Sequence, residues 1–155
     1  MCGLVGFLHL RGIGSHDDLT TIRKMSSNLD HRGPDDAGVW VDADAGIALA
    51  HRRLAVVDLT PAGHQPMVSG TGRFVIAFNG EIYNHLDLRT ELGPVSWRGH
   101  SDTETLLAAI DAWGVQQTLE KAVGMFAFAL WDQASRALVL ARDRIGEKPL
   151  YYGPV

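Results

Sequence analysis

Apolar runs of strand length occur in neighbouring pairs along this sequence, and this arrangement restricts the fold more than any other feature. Residues 39–41 and 47–50 form one pair, and residues 125–131 and 137–141 form another. A short turn joins two strands only in antiparallel orientation, whereas parallel strands need a long crossover. The pattern therefore predicts an α+β domain with antiparallel sheets rather than repeated β–α–β units.

Helical patterns separate these strand pairs. Apolar residues recur at spacings of three and four over residues 17–29, which predicts an amphipathic helix. Ser101 opens the sequence SDTE, which has the form of a capping box and predicts a helix start. Asp102 then falls in the first helical turn, where the helix dipole favours a carboxylate. This position alone explains why an aspartate is found there. Shorter helices are predicted over residues 85–92 and 116–122.

Two more strands are predicted at residues 3–10, closed by a glycine-containing turn at residues 11–14, and at residues 73–78. The second strand leads directly into Asn79 and Gly80. An Asn-Gly pair after a strand most often forms a hairpin turn, so these two residues by themselves favour a turn.

Two adjacent arginines, Arg52 and Arg53, precede an apolar run that begins at Leu54. Successive side chains of an extended segment point to opposite faces. The sequence therefore predicts that one arginine points inward and the other outward.

The composition is that of one globular domain. Of the 155 residues, 46% are hydrophobic and 21% are charged, and the net charge is -4. The acidic residues do not form runs, so we expect no nucleic-acid or membrane surface. No apolar run approaches the roughly 18 residues that a membrane span needs. We expect a cytoplasmic protein.

Cys2 is the only cysteine in the sequence and directly follows the initiator methionine. Removal of Met1 would leave the α-amine of Cys2 free beside its thiol. A thiol needs a neighbouring base to become a strong nucleophile, and an α-amine titrates close enough to neutral pH to serve. The alternative is a buried small residue at the start of a strand, which is common for a lone cysteine.

Seven short motifs, taken in order along the chain, resemble the glutaminase domain of class II glutamine amidotransferases, and within that family the asparagine synthetase branch. The motifs are MCG at residues 1–3, HRGPD at 31–35, RL at 53–54, NGEIYN at 79–84, SDTE at 101–104, GMFAF at 124–128 and RDRIG at 142–146. The resemblance implies the N-terminal nucleophile hydrolase fold, a four-layer αββα sandwich of two antiparallel sheets.

The resemblance also implies a catalytic group. Cys2 would attack the side-chain amide carbon of L-glutamine, with its own α-amine relaying the proton. The side-chain amide of Asn79 and the backbone N–H of Gly80 would form the oxyanion hole. Gly80 suits this position because a side chain there would crowd the substrate.

A substrate-binding set is implied in the same way. Arg53 would bind the α-carboxylate of glutamine through a bidentate fork, which makes Arg52 the outward arginine. The main chain at Val56 and Val57 would line the same pocket, as would Asn79. The carboxylates of Glu81 and Asp102 would bind the α-ammonium group.

The length differs from the family pattern, in which a second domain binds ATP and makes asparagine. We expect residues 1–155 to form one class II glutaminase domain, truncated at its C-terminal end, with the synthetase domain absent. The expected partners are L-glutamine and a synthetase domain, and an oligomer is possible. This domain should need no metal or cofactor, because ATP and Mg²⁺ belong to the synthetase domain.

The function expected from the resemblance is a glutamine amidohydrolase that releases glutamate and ammonia through a γ-glutamyl thioester on Cys2. In full-length enzymes of this type the ammonia supplies asparagine synthesis. Two alternatives stay open. The domain is a non-catalytic docking module if Met1 is retained, or it serves another amidotransferase whose acceptor is an amino sugar or a cell-surface group.

Overall fold

Two antiparallel sheets form the centre of the protein in a computed structural model that describes residues 2–9 and 16–154. The first sheet has three strands in the order β1-β3-β2, and the second has four in the order β4-β5-β6-β7. The strands are β1 (Gly3–Leu8), β2 (Asp36–Asp42), β3 (Ile47–Arg53), β4 (Met67–Val68), β5 (Phe74–Ile82), β6 (Gly124–Asp132) and β7 (Ala137–Arg142).

Helices cover the outer face of each sheet. They are α1 (His16–Ser27), α2 (His85–Leu92), α3 (Asp102–Trp113) and α4 (Val115–Lys121), with short 3₁₀ turns at Asp30–Arg32 and Pro61–Gly63. No helix within residues 2–9 and 16–154 is long and apolar enough to cross a membrane.

The alternation of side chains along β3 builds the layers of the first sheet. Ala48 and Ala50 contact Ile22 of α1 on the outer face. Ile47 and Leu49 point the other way and pack against the second sheet. Small residues outside and larger ones inside let α1 approach closely while the two sheets share an apolar layer.

The second sheet repeats this arrangement in mirror order. Val75 of β5 and Trp131 of β6 complete the layer between the sheets. On the outer face, Phe78 and Phe128 pack against the apolar side of α3, which includes Ile110. The resulting order of layers is helix, sheet, sheet, helix, so the predicted α+β sandwich of two antiparallel sheets is confirmed.

Most of the predicted elements are confirmed within a few residues, and one local prediction is wrong. β5 continues through Asn79 and Gly80 to Ile82, so the Asn-Gly pair lies inside a strand and not in a turn. β3 ends at Arg53, and the apolar run that follows it is not part of a strand. The predicted turn at residues 11–14 lies outside the described residues.

His51 of β3 is buried between the sheets, where it is 1% exposed. Its Nε2 lies 2.9 Å from the carbonyl oxygen of Phe78, which can only accept, so Nε2 carries the hydrogen. Nδ1 has no partner among residues 2–9 and 16–154. Burial lowers the pKa of His51 from 6.5 to about 4, against the opposing effect of the Phe78 hydrogen bond. The ring is therefore neutral at physiological pH.

We expect the free energy of unfolding to fall as the pH is lowered from 6.5 towards 4. In this window the unfolded chain binds a proton at His51 and the folded chain does not, so acid favours unfolding. The loss between pH 7 and pH 5 should be about 2 kcal/mol, measured by urea unfolding. His51→Gln is the matched control, because it removes the titration of His51. Asp102, whose pKa is raised by burial, still titrates in this variant. An identical pH slope in this variant would contradict the prediction.

Candidate functional site

A cavity of about 160 Å³ opens where the start of β1, the end of β3 and the second half of β5 meet. It is smaller than the roughly 300–1,000 Å³ of pockets for drug-sized ligands, which suits one small metabolite. All eight residues predicted for the site line this cavity, namely Cys2, Arg53, Val56, Val57, Asn79, Gly80, Glu81 and Asp102. The fold thus brings together residues that lie up to 100 positions apart in the sequence.

The thiol of Cys2 is held against the loop that follows β3. The N–H of Leu54 donates to Sγ at 3.3 Å, and Sγ lies 3.6 Å from the Leu54 carbonyl oxygen. The carbonyl of Cys2 accepts a hydrogen bond from Nε of Arg32 at 3.1 Å. The backbone and the sulfur of Cys2 are therefore both positioned at the wall of the cavity.

The HRGPD loop at residues 31–35 supports this wall. Gly33 packs so tightly on β3 that a Cβ atom there would overlap the main chain of Arg52 and Arg53. The carboxylate of Asp35 accepts the N–H of Ala55 at 2.9 Å. Only glycine fits at position 33, and the loop holds both the cysteine and the segment after β3 in place.

Arg53 ends β3 and is 8% exposed. Its guanidinium donates to the carbonyl oxygen of Thr60 at 3.0 Å and to that of Asp58. Arg52 faces the opposite way, where it pairs with Asp30 at 2.7 Å and is partly exposed. The predicted alternation is confirmed, with Arg53 inside and Arg52 outside.

The outer edge of β5 presents hydrogen-bond donors to the cavity. β4 pairs with β5 only at Ile76 and Val75, so no described strand lies beside the second half of β5 on that side. The N–H groups of Phe78 and Ile82 point to this edge and are taken by side chains. Alternation places the Gly80 N–H on the same edge, between them and facing the cavity.

Asn79 points to the layer between the sheets at the cavity wall and is 7% exposed. Its side-chain amide makes no hydrogen bond within the described part of the chain. The amide lines the cavity, so its N–H donors are available to a ligand there. Asn79 and the Gly80 N–H together form a pair of uncommitted donors.

The reason for glycine at position 80 differs from the one expected. A Cβ atom at Gly80 would overlap the backbone of Met125 and lie 2.6 Å from Cα of Phe126, both in β6. Gly80 is therefore needed for the close approach of β5 and β6, whatever its effect on the substrate path.

Asp102 lies in the first turn of α3 and is 5% exposed. Its two oxygens accept the N–H groups of Ile82 at 2.8 Å and Thr103 at 2.9 Å. Burial raises the pKa of Asp102, and these hydrogen bonds oppose the rise. Glu81 lies on β5 and is half-buried at the same cavity. Two carboxylates therefore face one small volume.

The capping box at the start of α3 is confirmed in its first half. The hydroxyl of Ser101 accepts the N–H of Glu104 at 3.1 Å. The carboxylate of Glu104 does not return to Ser101 but accepts the N–H groups of Arg98 at 2.7 Å and Gly99 at 3.0 Å. Glu104 thus shapes the loop that leads into Asp102.

Asp58 also lines the cavity, and the sequence pattern did not single it out. Its carboxylate accepts the N–H of Thr60 at 2.7 Å and the N–H of His100 at 2.8 Å. Burial tends to raise the pKa of Asp58, but the hydrogen bonds from Thr60 and His100 outweigh it and hold the pKa at about 2. Asp58 joins the loop after β3 to the loop before α3.

Lys148 is a second cavity residue that sequence reasoning missed, and it is 6% exposed. A lysine in a charged segment is normally placed on the surface, so no local signal identifies it. Its backbone N–H donates to the carboxylate of Asp143 at 3.0 Å, which draws the segment towards the cavity.

The residues predicted for the site give the cavity a thiol, two uncommitted donors, a guanidinium and two carboxylates, and Asp58 and Lys148 line it as well. A guanidinium suits a carboxylate, and paired carboxylates suit an ammonium group. Donors beside a thiol suit the oxygen of a carbonyl under attack. This combination matches an amino acid whose side chain carries a carbonyl group.

Comparison with known proteins agrees with this chemistry. Residues 1–155 match the family described as glutamine amidotransferase domain. The chain is 39% identical over 159 residues to asparagine synthetase (glutamine-hydrolyzing) 3 of Bacillus subtilis, covering 98% of this chain and 25% of that protein. It is 39% identical over 158 residues to asparagine synthetase B (glutamine-hydrolyzing) of Escherichia coli, covering 99% of this chain and 27% of that protein.

A differently named relative is amidase chry2 of Gibberella zeae, 34% identical over 161 residues, with 98% of this chain and 24% of that protein covered. The chain spans about a quarter of the length of these relatives. The resemblance carried by the seven motifs is confirmed, and the chain belongs to the glutamine amidotransferase domain family, with relatives among the glutamine-hydrolysing asparagine synthetases.

Proposed function

We propose that this domain hydrolyses L-glutamine to glutamate and ammonia through a γ-glutamyl thioester on Cys2. The observation that carries the proposal is the single cavity shared by the Cys2 thiol, the donors at Asn79 and Gly80, and the charged groups of Arg53 and Asp102. Each charge of a glutamine zwitterion has a counterpart there.

The reaction begins once Met1 has been removed. The free α-amine of Cys2 takes the thiol proton, and Sγ attacks the side-chain amide carbon of glutamine. The carbonyl oxygen becomes an oxyanion, which Asn79 and the Gly80 N–H stabilise. The C–N bond then breaks, the protonated amine supplies the proton for departing ammonia, and water hydrolyses the thioester to release glutamate and the thiol.

Arg53 binds the α-carboxylate of glutamine in this scheme. A guanidinium has five N–H donors, and two of those of Arg53 are engaged by the carbonyls of Asp58 and Thr60. The other three have no hydrogen-bond partner among residues 2–9 and 16–154, and two of them are enough for a bidentate contact. The loop carbonyls hold the guanidinium in one orientation, while the main chain at Val56 and Val57 lines the cavity beside it.

Glu81 and Asp102 receive the α-ammonium group. A cation beside Asp102 favours the ionised carboxylate and so offsets the effect of burial on its pKa. Two carboxylates around one ammonium also favour a free amino acid over a peptide-bound or acylated glutamine, because the latter leaves both charges without a partner.

The ammonia supplies asparagine synthesis by a synthetase domain, which uses ATP and Mg²⁺. Relatives about four times as long, named as glutamine-hydrolyzing asparagine synthetases, support this assignment. The Gibberella relative is named as an amidase and not as an asparagine synthetase, which supports a second candidate in which the same half-reaction serves a purpose other than asparagine synthesis. Both candidates place the protein in the cytoplasm and share the chemistry on Cys2.

The test is intact mass spectrometry before and after incubation with a glutamine analogue that carries a diazoketone in place of the amide. The expected result is a chain without Met1 that gains one adduct on Cys2 with loss of N₂. Glutamate release is measured on a portion of the same sample that has not been treated with the analogue. A chain that retains Met1 and takes no adduct would contradict the proposal and favour a non-catalytic docking module.

A further inference from the structure

Beyond its pairing with β4, the edge of β5 carries three outward N–H groups, those of Phe78, Gly80 and Ile82. The first and third have side-chain partners, and that of Gly80 does not among the described residues. β4 pairs Met67 with Ile76, and this register continued would place Gln65 opposite Phe78. The backbone ladder stops before that point, because β4 begins only at Met67. The Phe78 peptide group is thus left without a strand beside it.

The side chain of Gln65 replaces the missing ladder contact. Its Oε1 accepts the N–H of Phe78 at 2.7 Å, and its Nε2 donates to the hydroxyl of Thr103 in α3 at 3.3 Å. Its own carbonyl is turned away to β2, where a Cβ at Gly38 would overlap it. Gln65 is 5% exposed, so water does not compete for these bonds.

His51 completes the replacement from the other sheet by donating Nε2–H to the Phe78 carbonyl at 2.9 Å. Both polar groups of the Phe78 residue are therefore held by buried side chains. Four residues after Phe78, the Asp102 carboxylate accepts the Ile82 N–H at 2.8 Å. Between these two hydrogen-bonded residues lies Gly80, whose N–H has no partner within the described part of the chain.

We infer that Gln65 and His51 are positioning residues for the oxyanion hole. They clamp β5 directly before Asn79 and Gly80, whose donors must be aimed before the oxyanion forms. Electrostatic stabilisation of a transition state depends on such preorganisation, and a displacement of about 1 Å costs up to roughly 100-fold in rate. The inference rests on the proposed glutamine hydrolysis. Gln65 also lines the cavity, but its amide oxygen and nitrogen are engaged by Phe78 and Thr103, and His51 is not among the lining residues.

The experiment compares steady-state glutamine hydrolysis by the whole chain and three variants. Gln65→Met keeps the length of the side chain but lacks the amide oxygen, so kcat should fall about 10- to 100-fold, with KM changed less than about threefold. Gln65→Glu keeps an acceptor for the Phe78 N–H and should restore kcat to within about fivefold of the wild type. Thr103→Val removes the other hydrogen bond of Gln65 and keeps the Thr103 N–H that Asp102 accepts. Thr103 also lines the cavity, so the expectation is that kcat of this variant stays well above that of Gln65→Met.

Amide hydrogen exchange at Phe78 gives a second measurement that does not depend on activity. Exchange should be at least about 10-fold faster in Gln65→Met than in the wild type or in Gln65→Glu. If Gln65→Met does not fold, His51→Leu takes its place, with the same expected fall in kcat and Thr103→Val as its control.

The outcomes separate the two proposals. A wild-type chain that lacks Met1 and releases no glutamate would overturn the proposed hydrolysis, and the inference with it. An active wild type with unchanged kcat in Gln65→Met would overturn the inference alone. A fall in kcat that Gln65→Glu does not restore, accompanied by an equal rise in KM, would show a general structural role and also overturn it.

Discussion

Cys2→Ala is expected to lower the rate of glutamine hydrolysis by roughly 10⁴-fold or more, because no other residue can form the thioester. The side chains proposed to bind the ends of glutamine, Arg53 and Asp102, are untouched, so the dissociation constant for glutamine should change less than about threefold. Glutamate release checks the first expectation, and calorimetric titration with glutamine checks the second.

The matched control is Cys2→Ser, which keeps a hydroxyl at the position of Sγ, 3.3 Å from the Leu54 N–H. This variant should bind glutamine and also fail to turn over, since a hydroxyl is a much weaker nucleophile than a thiolate. Steady-state release of glutamate by Cys2→Ala at more than about 1% of the wild-type rate would remove Cys2 from the role of nucleophile.

Asn79→Asp is expected to have the second largest effect, a fall in kcat of roughly 10²- to 10³-fold. The substitution preserves size and shape at a residue that is 7% exposed, but it replaces an N–H donor with a carboxylate oxygen. A negative charge would then face the oxyanion that the cavity must stabilise. KM for glutamine should change much less, because the contact strengthens only in the transition state.

Asn79→Ala serves as the control for charge, and its kcat should lie between those of the wild type and Asn79→Asp. Both variants should keep β5 intact, because the amide of Asn79 makes no hydrogen bond with the described residues. If both raise KM and leave kcat unchanged, Asn79 binds the ground state of the substrate, and the oxyanion assignment is wrong.

Much of the secondary structure was predictable because its signals are local. The hydroxyl of Ser101 caps α3 three residues away, and the predicted helix over residues 85–92 is the observed α2. Side-chain alternation in an extended chain was enough to separate Arg52 from Arg53. The wrong turn prediction at Asn79 and Gly80 has a tertiary cause, because both residues pair with β6 and so continue β5.

The candidate site was predictable only through the family resemblance, since each residue alone has a simpler explanation. Asp102 suits a helix start and Asn79-Gly80 suits a turn, and neither position by itself indicates a substrate. Asp58 and Lys148 escaped prediction because their burial arises from contacts across the fold, such as the bond between Asp58 and the His100 N–H, 42 positions apart.

By itself the sequence determined the α+β class, the pairing of neighbouring strands and the membership of the chain in its family. These follow from periodicity, capping residues and motifs, which act over a few residues. Only the tertiary structure decided which peptide group of β5 stays open, because that depends on where β4 ends and where Gln65, His51 and Asp102 lie. Hydrogen bonds between buried groups far apart in sequence leave no local pattern, so the open donor of Gly80 becomes visible only in the folded chain.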